Sequence, residues 1–208
     1  MKMEKEAFFK IQYGLYLLTC REGSRVNGCI INTCMQITED PYRILFALSD
    51  STYTAELLRV GEVCNVSVLS TKAPYEMYRH FGYQSGRDVD KFAGRDDPCD
   101  ALGLPYPGNG EACVTICGTV SAIIPCGTHS VYVVSVKEAR ILSNDPAVTY
   151  EEYHRSIKPK KPLQAASDTS KKGYVCRVCG YVYEGDTLPP DYTCPICHHG
   201  ADSFEEIK

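Results

Sequence analysis

Four cysteines near the C-terminal end, Cys176, Cys179, Cys194 and Cys197, fall into two Cys-x-x-Cys pairs with fourteen residues between them. Each pair sets two thiolates on one tight turn, and two such turns can deliver four sulfurs to a single tetrahedral metal ion. A thiolate-only ligand set selects zinc or iron, and the ligands alone leave that choice open. Zinc would make the segment a structural ribbon. Iron would make it a carrier of one electron at a time, and the rest of the chain would then have to supply electrons to it.

The flanking residues favour iron. Tyr174, Tyr181, Tyr183 and Phe204 suit a small packed shell around a redox metal. Gly180, directly after the second ligand, lets backbone N–H groups approach sulfur. Cys179-Gly180-Tyr181-x-Tyr183, with Pro195 inside the second pair, resembles rubredoxin, and the short stretch 183–190 resembles the variant that ends rubrerythrins. The resemblance implies one Fe(Cys)4 centre per chain. The chain departs from that pattern at His198, where glycine is usual, and at Tyr192, where tryptophan is common. Neither position is a ligand, but both can shift the reduction potential. His198 and His199 are expected to face solvent, because four sulfurs already close the site.

The elements that must position these groups divide the 208 residues into two domains and a strap. Residues 174–208 are expected to form the metal module, 155–173 a flexible basic linker, and 1–154 a domain able to bury its own core. The net charge of −4 is unevenly spread: the metal module has six acidic and two basic residues, the linker six basic and one acidic. Two acidic domains joined by a basic strap do not suggest nucleic-acid binding. An acidic metal module instead suits docking to a basic redox partner. Twelve cysteines without a signal peptide point to a reducing, cytoplasmic setting. Those outside the metal module are expected to act mostly as small buried hydrophobes. No run of eighteen apolar residues occurs, so no membrane association is expected.

Within 1–154, short β-branched and aromatic runs at 14–20, 28–38, 43–49 and 63–69 read as strands. Residues 54–60 read as a helix capped by Ser51 or Thr52, and 74–81 as a second helix with proline at its start. Strands at 113–124 and 130–142 form a hairpin around Pro125-Cys126-Gly127-Thr128, and a helical piece at 150–154 closes the domain. Many strands and few helices argue for a mainly β fold, a closed or half-closed barrel.

The order of these pieces resembles the flavin reductase family, over roughly residues 8–150. The matching motifs are Tyr13-Gly14 with the strand after it, the run from Val26 to Thr33, Asp40-Pro41, the run from Ser49 to Leu58, Cys64 to Ser70, and Gly127-Thr128-His129 with its strand. The resemblance implies a homodimeric split β-barrel that binds FMN. A flavin ring needs a flat apolar slot with backbone donors, and Asn27, Gly28, Cys29, Ile30, Ile31, Asn32 and Thr33 are expected to provide it. The phosphate needs N–H and hydroxyl donors, expected from Ser49, Asp50, Ser51, Thr52, Tyr53 and Thr54 at a helix start. Without the resemblance, Ser51 and Thr52 would be ordinary helix caps and Gly28 would mark a bulge.

The glycine- and charge-rich loop that follows Phe81 reads as a lid or rim, with Phe81, Arg87 and Lys91 as candidate cofactor contacts; an ordinary exposed loop is the alternative. His129 stands where the family has a Gly-Asp-His, and its expected role is beside the flavin and nicotinamide; here the aspartate is Thr128. The chain lacks a Gly-x-Gly-x-x-Gly fingerprint, so NAD(P)H would dock transiently on the flavin.

Joined in one chain, the two halves resemble the flavin reductase–rubredoxin fusions of anaerobes. That resemblance implies that FMN accepts hydride from NAD(P)H and passes single electrons through iron to a flavodiiron protein that reduces dioxygen or nitric oxide. Three alternatives stand beside it: a pure carrier loaded by a separate NAD(P)H:rubredoxin reductase, a reductase releasing free flavin, and a flavin-bound sensor with a zinc ribbon.

Overall fold

A computed structural model describes residues 4–159, 173–176, 182–194 and 200–207. The chain divides into two compact units, Met1–Lys158 and Pro159–Lys208.

The first unit is built on a seven-stranded antiparallel sheet: β1 (Tyr16–Glu22), β2 (Arg25–Ile31), β3 (Cys34–Glu39), β4 (Tyr42–Ser49), β5 (Val63–Leu69), β6 (Ala112–Pro125) and β7 (His129–Ile141). Their spatial order is β2-β1-β5-β6-β7-β4-β3. On β4 the alternation is clean: Ile44, Phe46 and Leu48 are buried, and the residues between them are not. Residues from both ends of the sheet enter one core, where Ile31 of β2 joins Leu18, Phe46, Val66, Val120, Tyr132 and Val134. The sheet therefore curls around this core as the barrel expected from the sequence. β1 is buried on both faces, and its outward Leu17 joins Leu15, Leu69, Met77, Tyr78, Phe81 and Tyr153 in a second core. That core is covered by α2 (Tyr75–Gly82), which starts after Pro74.

Three elements differ from the sequence reading. The run 28–38 is two strands, broken where the Thr33 hydroxyl donates to the Ala47 carbonyl (3.2 Å) and accepts from the Ala47 N–H (3.1 Å). This contact turns the chain from its place beside β1 to one beside β4, a corner that β-propensity does not reveal. The first helix, α1 (Tyr53–Leu57), is a single turn of five residues and not the seven expected. At the far end, α3 (Tyr150–Glu152) runs into a π-helical turn, Tyr153–Ile157, so residues 155–157 are helical where linker was expected.

The second unit holds β8 (Gly173–Cys176), β9 (Val182–Tyr183) and β10 (Phe204–Ile207) in the order β10-β8-β9. Its core is Cys176, Cys194 and Phe204, with Tyr174, Tyr183, Leu188 and Tyr192 packed against them. The Tyr192 ring lies tilted against Tyr183 at 4.6 Å and edge-to-face with Phe204 at 5.5 Å. So few apolar side chains cannot offset the entropy of ordering the segment, and a metal is the ordinary remedy. Among the described residues no helix is long and apolar enough to cross a membrane.

Candidate functional site

In the first unit, Thr54, Phe81 and Lys91 gather on β2, while Ser49 to Ser51 and His129 lie at the top of β4 and β7. Asn27 stands opposite Cys20 of β1, so its side chain enters the barrel, where it is 3 % exposed. Its Nδ2 donates to Thr54 Oγ1 at 2.9 Å, tying β2 to α1. Burial pushes the Cys29 thiol up, while the nearby Thr54 and the Lys91 ammonium act in the opposite direction. Ile31 lies in the barrel core and Ile30 packs against the second core, so the two isoleucines face opposite sides of the strand. Asn32 is half-buried at the bend after β2, and Thr33 is engaged with β4.

Gly28 is no bulge: it pairs in register with Thr19. A β-carbon there would lie 3.1 Å from Phe81, 3.2 Å from Phe92 and 3.3 Å from Leu17. The close approach that glycine permits is thus made by the protein's own rings on that face, a correction to the reading that left the space for a ligand. Lys91 is corrected too. It is not an exposed rim residue but 3 % exposed, its Nζ donating to the carbonyls of Gly28 and Phe81, both at 2.8 Å. Burial lowers its pKa from the ordinary lysine value. The Gly28 carbonyl therefore points off the free edge of β2. In an antiparallel strand its N–H points the same way, and both groups of Ile30 follow two residues on.

The loop after α2 is fastened at several points. Arg25 Nη2 donates to Gly86 O at 2.6 Å, and His80 Nε2 lies 2.6 Å from Lys91 O. A β-carbon on Gly86 would stand 1.9 Å from Asn27 Oδ1, so only glycine fits. That same Oδ1 is buried without an N–H or O–H donor among the described residues. Arg87 pairs with Glu56 and lies 5.0 Å over the Tyr53 ring, whose hydroxyl donates to Glu22 at 2.7 Å. Arg25 and Gly86 were missed from sequence. A glycine within a charged loop was the signal for Gly86; nothing in the spacing marked Arg25.

The hydroxyl-rich turn divides its labour. Thr52 caps α1: its hydroxyl donates to Ser49 O (2.9 Å) and accepts from Ala55 N (3.2 Å). Ser49 and Ser51 share a hydrogen bond of 3.0 Å at the surface. The N–H groups of Tyr53 and Thr54 begin the helix and have no intrahelical acceptor. Asp50 N donates to Thr128 O at 3.1 Å, and Ser49 pairs in register with His129, which is exposed. Ser49 to Thr54 and His129 are therefore neighbours across the top of β4 and β7.

This donor set fits a flavin. Outward N–H and C=O groups along β2 match the donor–acceptor edge of a heterocycle, two helix-start N–H groups match an anion, and Asn27 Oδ1 is an orphaned buried acceptor. The second unit fits a thiophilic metal. Cys176 at the end of β8 and Cys194 are 1 % and 0 % exposed and share one small core. Cys179 and Cys197 lie outside the described residues.

Comparison with known proteins separates the same two parts. Residues 8–158 match the flavin reductase like domain, and residues 174–205 match the rubrerythrin, rubredoxin-like domain. High molecular weight rubredoxin of Moorella thermoacetica is 33 % identical over 99 % of this chain and 100 % of its own. The chain belongs to the high molecular weight rubredoxin family. A ferric-chelate reductase (NAD(P)H) of Archaeoglobus fulgidus is 32 % identical over 78 % of this chain and 96 % of its own. An NADH:FAD oxidoreductase of Streptomyces globisporus shares the fold, with a TM-score of 0.60 at 19 % identity over 69 % of this chain and 83 % of its own. Like other members of the high molecular weight rubredoxin family, the chain is a flavin-linked oxidoreductase, and flavin and iron are the cofactors of its two domains.

Proposed function

We propose that this protein oxidises NAD(P)H at an FMN in its first unit and passes single electrons through Fe(Cys)4 to a diiron acceptor such as a flavodiiron oxygen or nitric oxide reductase. The chemistry these cofactors supply when bound is exchange between two-electron and one-electron transfer. The chain's residues have distinct tasks in this reading. The β2 edge from Gly28 to Asn32 orients the ring through backbone groups, while Lys91 holds the Gly28 carbonyl in place. Ser51, Tyr53 and Thr54 offer hydroxyl and N–H donors to the phosphate, with Arg87 in reach of the same turn. Phe81 acts from below, as packing. His129 stands at the mouth, where a nicotinamide would arrive. Cys176, Cys179, Cys194 and Cys197 hold the iron.

A second copy of the chain is the proposed partner of the barrel's outer face. Met35 pairs with Leu45, Leu45 with Val133, and Val133 with Ala122, so these side chains form one outward row. Ala47, Val131 and Ile124 form the next. Met35 and Ile124 are more than half exposed, and an apolar face of this kind on a sheet is a signature of an interface.

The reading rests on the tie of β2 to the 49–54 turn through Asn27 and Thr54, and on His129 beside Ser49 at the start of that turn, in a chain that also carries a four-thiolate module. Its test is an anaerobic titration with NADH and with NADPH, followed by visible absorbance, with extraction of the flavin to separate FMN from FAD. Bleaching of both the flavin and the ferric-thiolate bands without an added reductase is expected. If neither chromophore responds, the chain is a carrier loaded by another enzyme. The Archaeoglobus relative favours ferric chelates as a second class of acceptor. Ferric-EDTA reduction that survives loss of the iron-binding cysteines would support that route.

A further inference from the structure

The hairpin that presents His129 also decides which face of its imidazole is available. Thr128 Oγ1 lies 3.0 Å from His129 Nδ1, so this nitrogen is engaged by its own neighbour. The hairpin fixes both residues from the main chain. Cys126 N donates to His129 O at 2.8 Å, and Asp50 N donates to Thr128 O at 3.1 Å. Ser49 is the register partner of His129 on β4. Around the ring the titratable groups are the Asp50 carboxylate on the neighbouring turn and the exposed Cys126 thiol on the hairpin itself. Neither forms a hydrogen bond or ion pair with the imidazole among the described contacts.

We propose that Thr128 is a positioning residue that keeps the ring proton of His129 on Nε2, so that the group facing outward is a donor and not a base. This rests on the placement of His129 at the mouth of the flavin site. A carboxylate beside Nδ1 would accept its proton, leaving a bare Nε2 outward and favouring the imidazolium. A hydroxyl brings no charge. It can donate to the Nδ1 lone pair or accept from an Nδ1–H; in this proposal it donates, the ring proton is on Nε2, and the outward N–H can hydrogen-bond a carbonyl. The ligand chemistry this serves is a planar ring bearing a carbonyl or carboxamide, which the nicotinamide of NAD(P)H carries. His129 would then orient that group by donating to it, without moving a proton.

The experiment uses the full-length holoprotein, with His129 assigned by loss of its signal in His129→Gln. Imidazole 15N shifts read the tautomer at high pH, and the ring's titration midpoint is read in the same series. In the parent protein Nε2 is expected to be protonated. Thr128→Ser should keep that state; Thr128→Val should give a tautomer mixture; Thr128→Asp should place the proton on Nδ1 and raise the midpoint by about one pH unit. The rate of flavin reduction by NAD(P)H should stay within about twofold for Thr128→Ser and fall about tenfold for Thr128→Val and Thr128→Asp, the worth of one ordinary hydrogen bond. A parent ring protonated on Nδ1, or a Thr128→Val protein with parental 15N shifts, overturns the proposal. The NMR result decides the role of Thr128 whatever the kinetics. Unchanged flavin reduction in His129→Gln instead overturns the placement of His129 at the site.

Discussion

The cysteines of the barrel separate by burial, and their chemistry should follow. Cys20, Cys64, Cys113 and Cys117 are buried, Cys29 and Cys34 are half-buried, and Cys99 and Cys126 are exposed. Desolvation first, then neighbouring acidic groups, pushes Cys20 up to about 12 and Cys117 to about 11; desolvation alone brings Cys34 to about 12. A thiolate is the reactive form, so iodoacetamide at pH 8 should label Cys99 and Cys126 in the folded protein and spare Cys20, Cys64 and Cys117. Mass mapping of the labelled peptides checks this, and prompt labelling of Cys20 would contradict it. The same shifts have a consequence for stability. An unfolded thiol loses its proton near pH 8.5, before the folded one, so the folded state holds more protons at alkaline pH. The stability from these thiols is complete below about pH 8.5 and lost as pH rises through 11 to 12, with a slope of ~1.4 kcal/mol per pH unit for each. Urea unfolding between pH 7 and 10 should show that decline, and Cys20→Ala should flatten it. The sequence reading expected most barrel cysteines to be buried, and four of the eight are. Cys126 fell in the expected hairpin turn, whereas the exposure of Cys99 rests on a loop conformation that spacing does not encode.

At the scale of elements, the segment joining α2 to β6 is where sequence reasoning was weakest. Its glycines and charges suggested an open rim, yet Lys91 is buried and Phe92 packs 5.2 Å from Phe81. Composition misled because a buried lysine can be satisfied by carbonyls, which have no sequence signature. The strand pattern of β4 was legible to within a residue, since its alternation is set by one continuous core, and β5 was legible as a β-branched run although it is buried on both faces. The β2–β3 corner and the single-turn α1 depend on individual side-chain bonds, those of Thr33 and Thr52, and were not. The Lys91 brace can be tested directly. Lys91→Met removes two charge-assisted hydrogen bonds and leaves two carbonyls unpaired, a loss of about 2–4 kcal/mol. It should lower the thermal midpoint of the barrel and, by releasing the β2 edge, weaken FMN binding at least tenfold in a fluorescence titration. A lower midpoint with parental FMN affinity would reduce Lys91 to a packing residue and detach it from the site.

For the whole molecule, the two-part organisation was written in the cysteine spacing, but the surface proposed to pair two copies was not. Its rows become visible only once the strand register is known, because Met35 and Leu45 come from one hairpin and Ala122 and Val133 from another far away in sequence. Buried residues on the same strands, such as Phe46 and Tyr132, face the opposite way into the core, so a substitution on the outer row should spare the barrel. Leu45→Arg would place an unpaired charge in the centre of the proposed contact, at a cost of about 3 kcal/mol or more, on the order of a hundredfold in dimer dissociation. Sedimentation velocity at micromolar concentration should show a dimer for the parent and a monomer for Leu45→Arg, with unchanged circular dichroism. Ile141→Arg is the control, since Ile141 is 79 % exposed and outside both rows, and it should remain dimeric. A monomeric parent would remove the second copy as occupant of this face. A Leu45→Arg dimer would move the contact elsewhere on the barrel, while leaving the flavin and iron reading intact, because no residue assigned to either cofactor lies on the two rows, and Ala47 meets Thr33 only through its backbone.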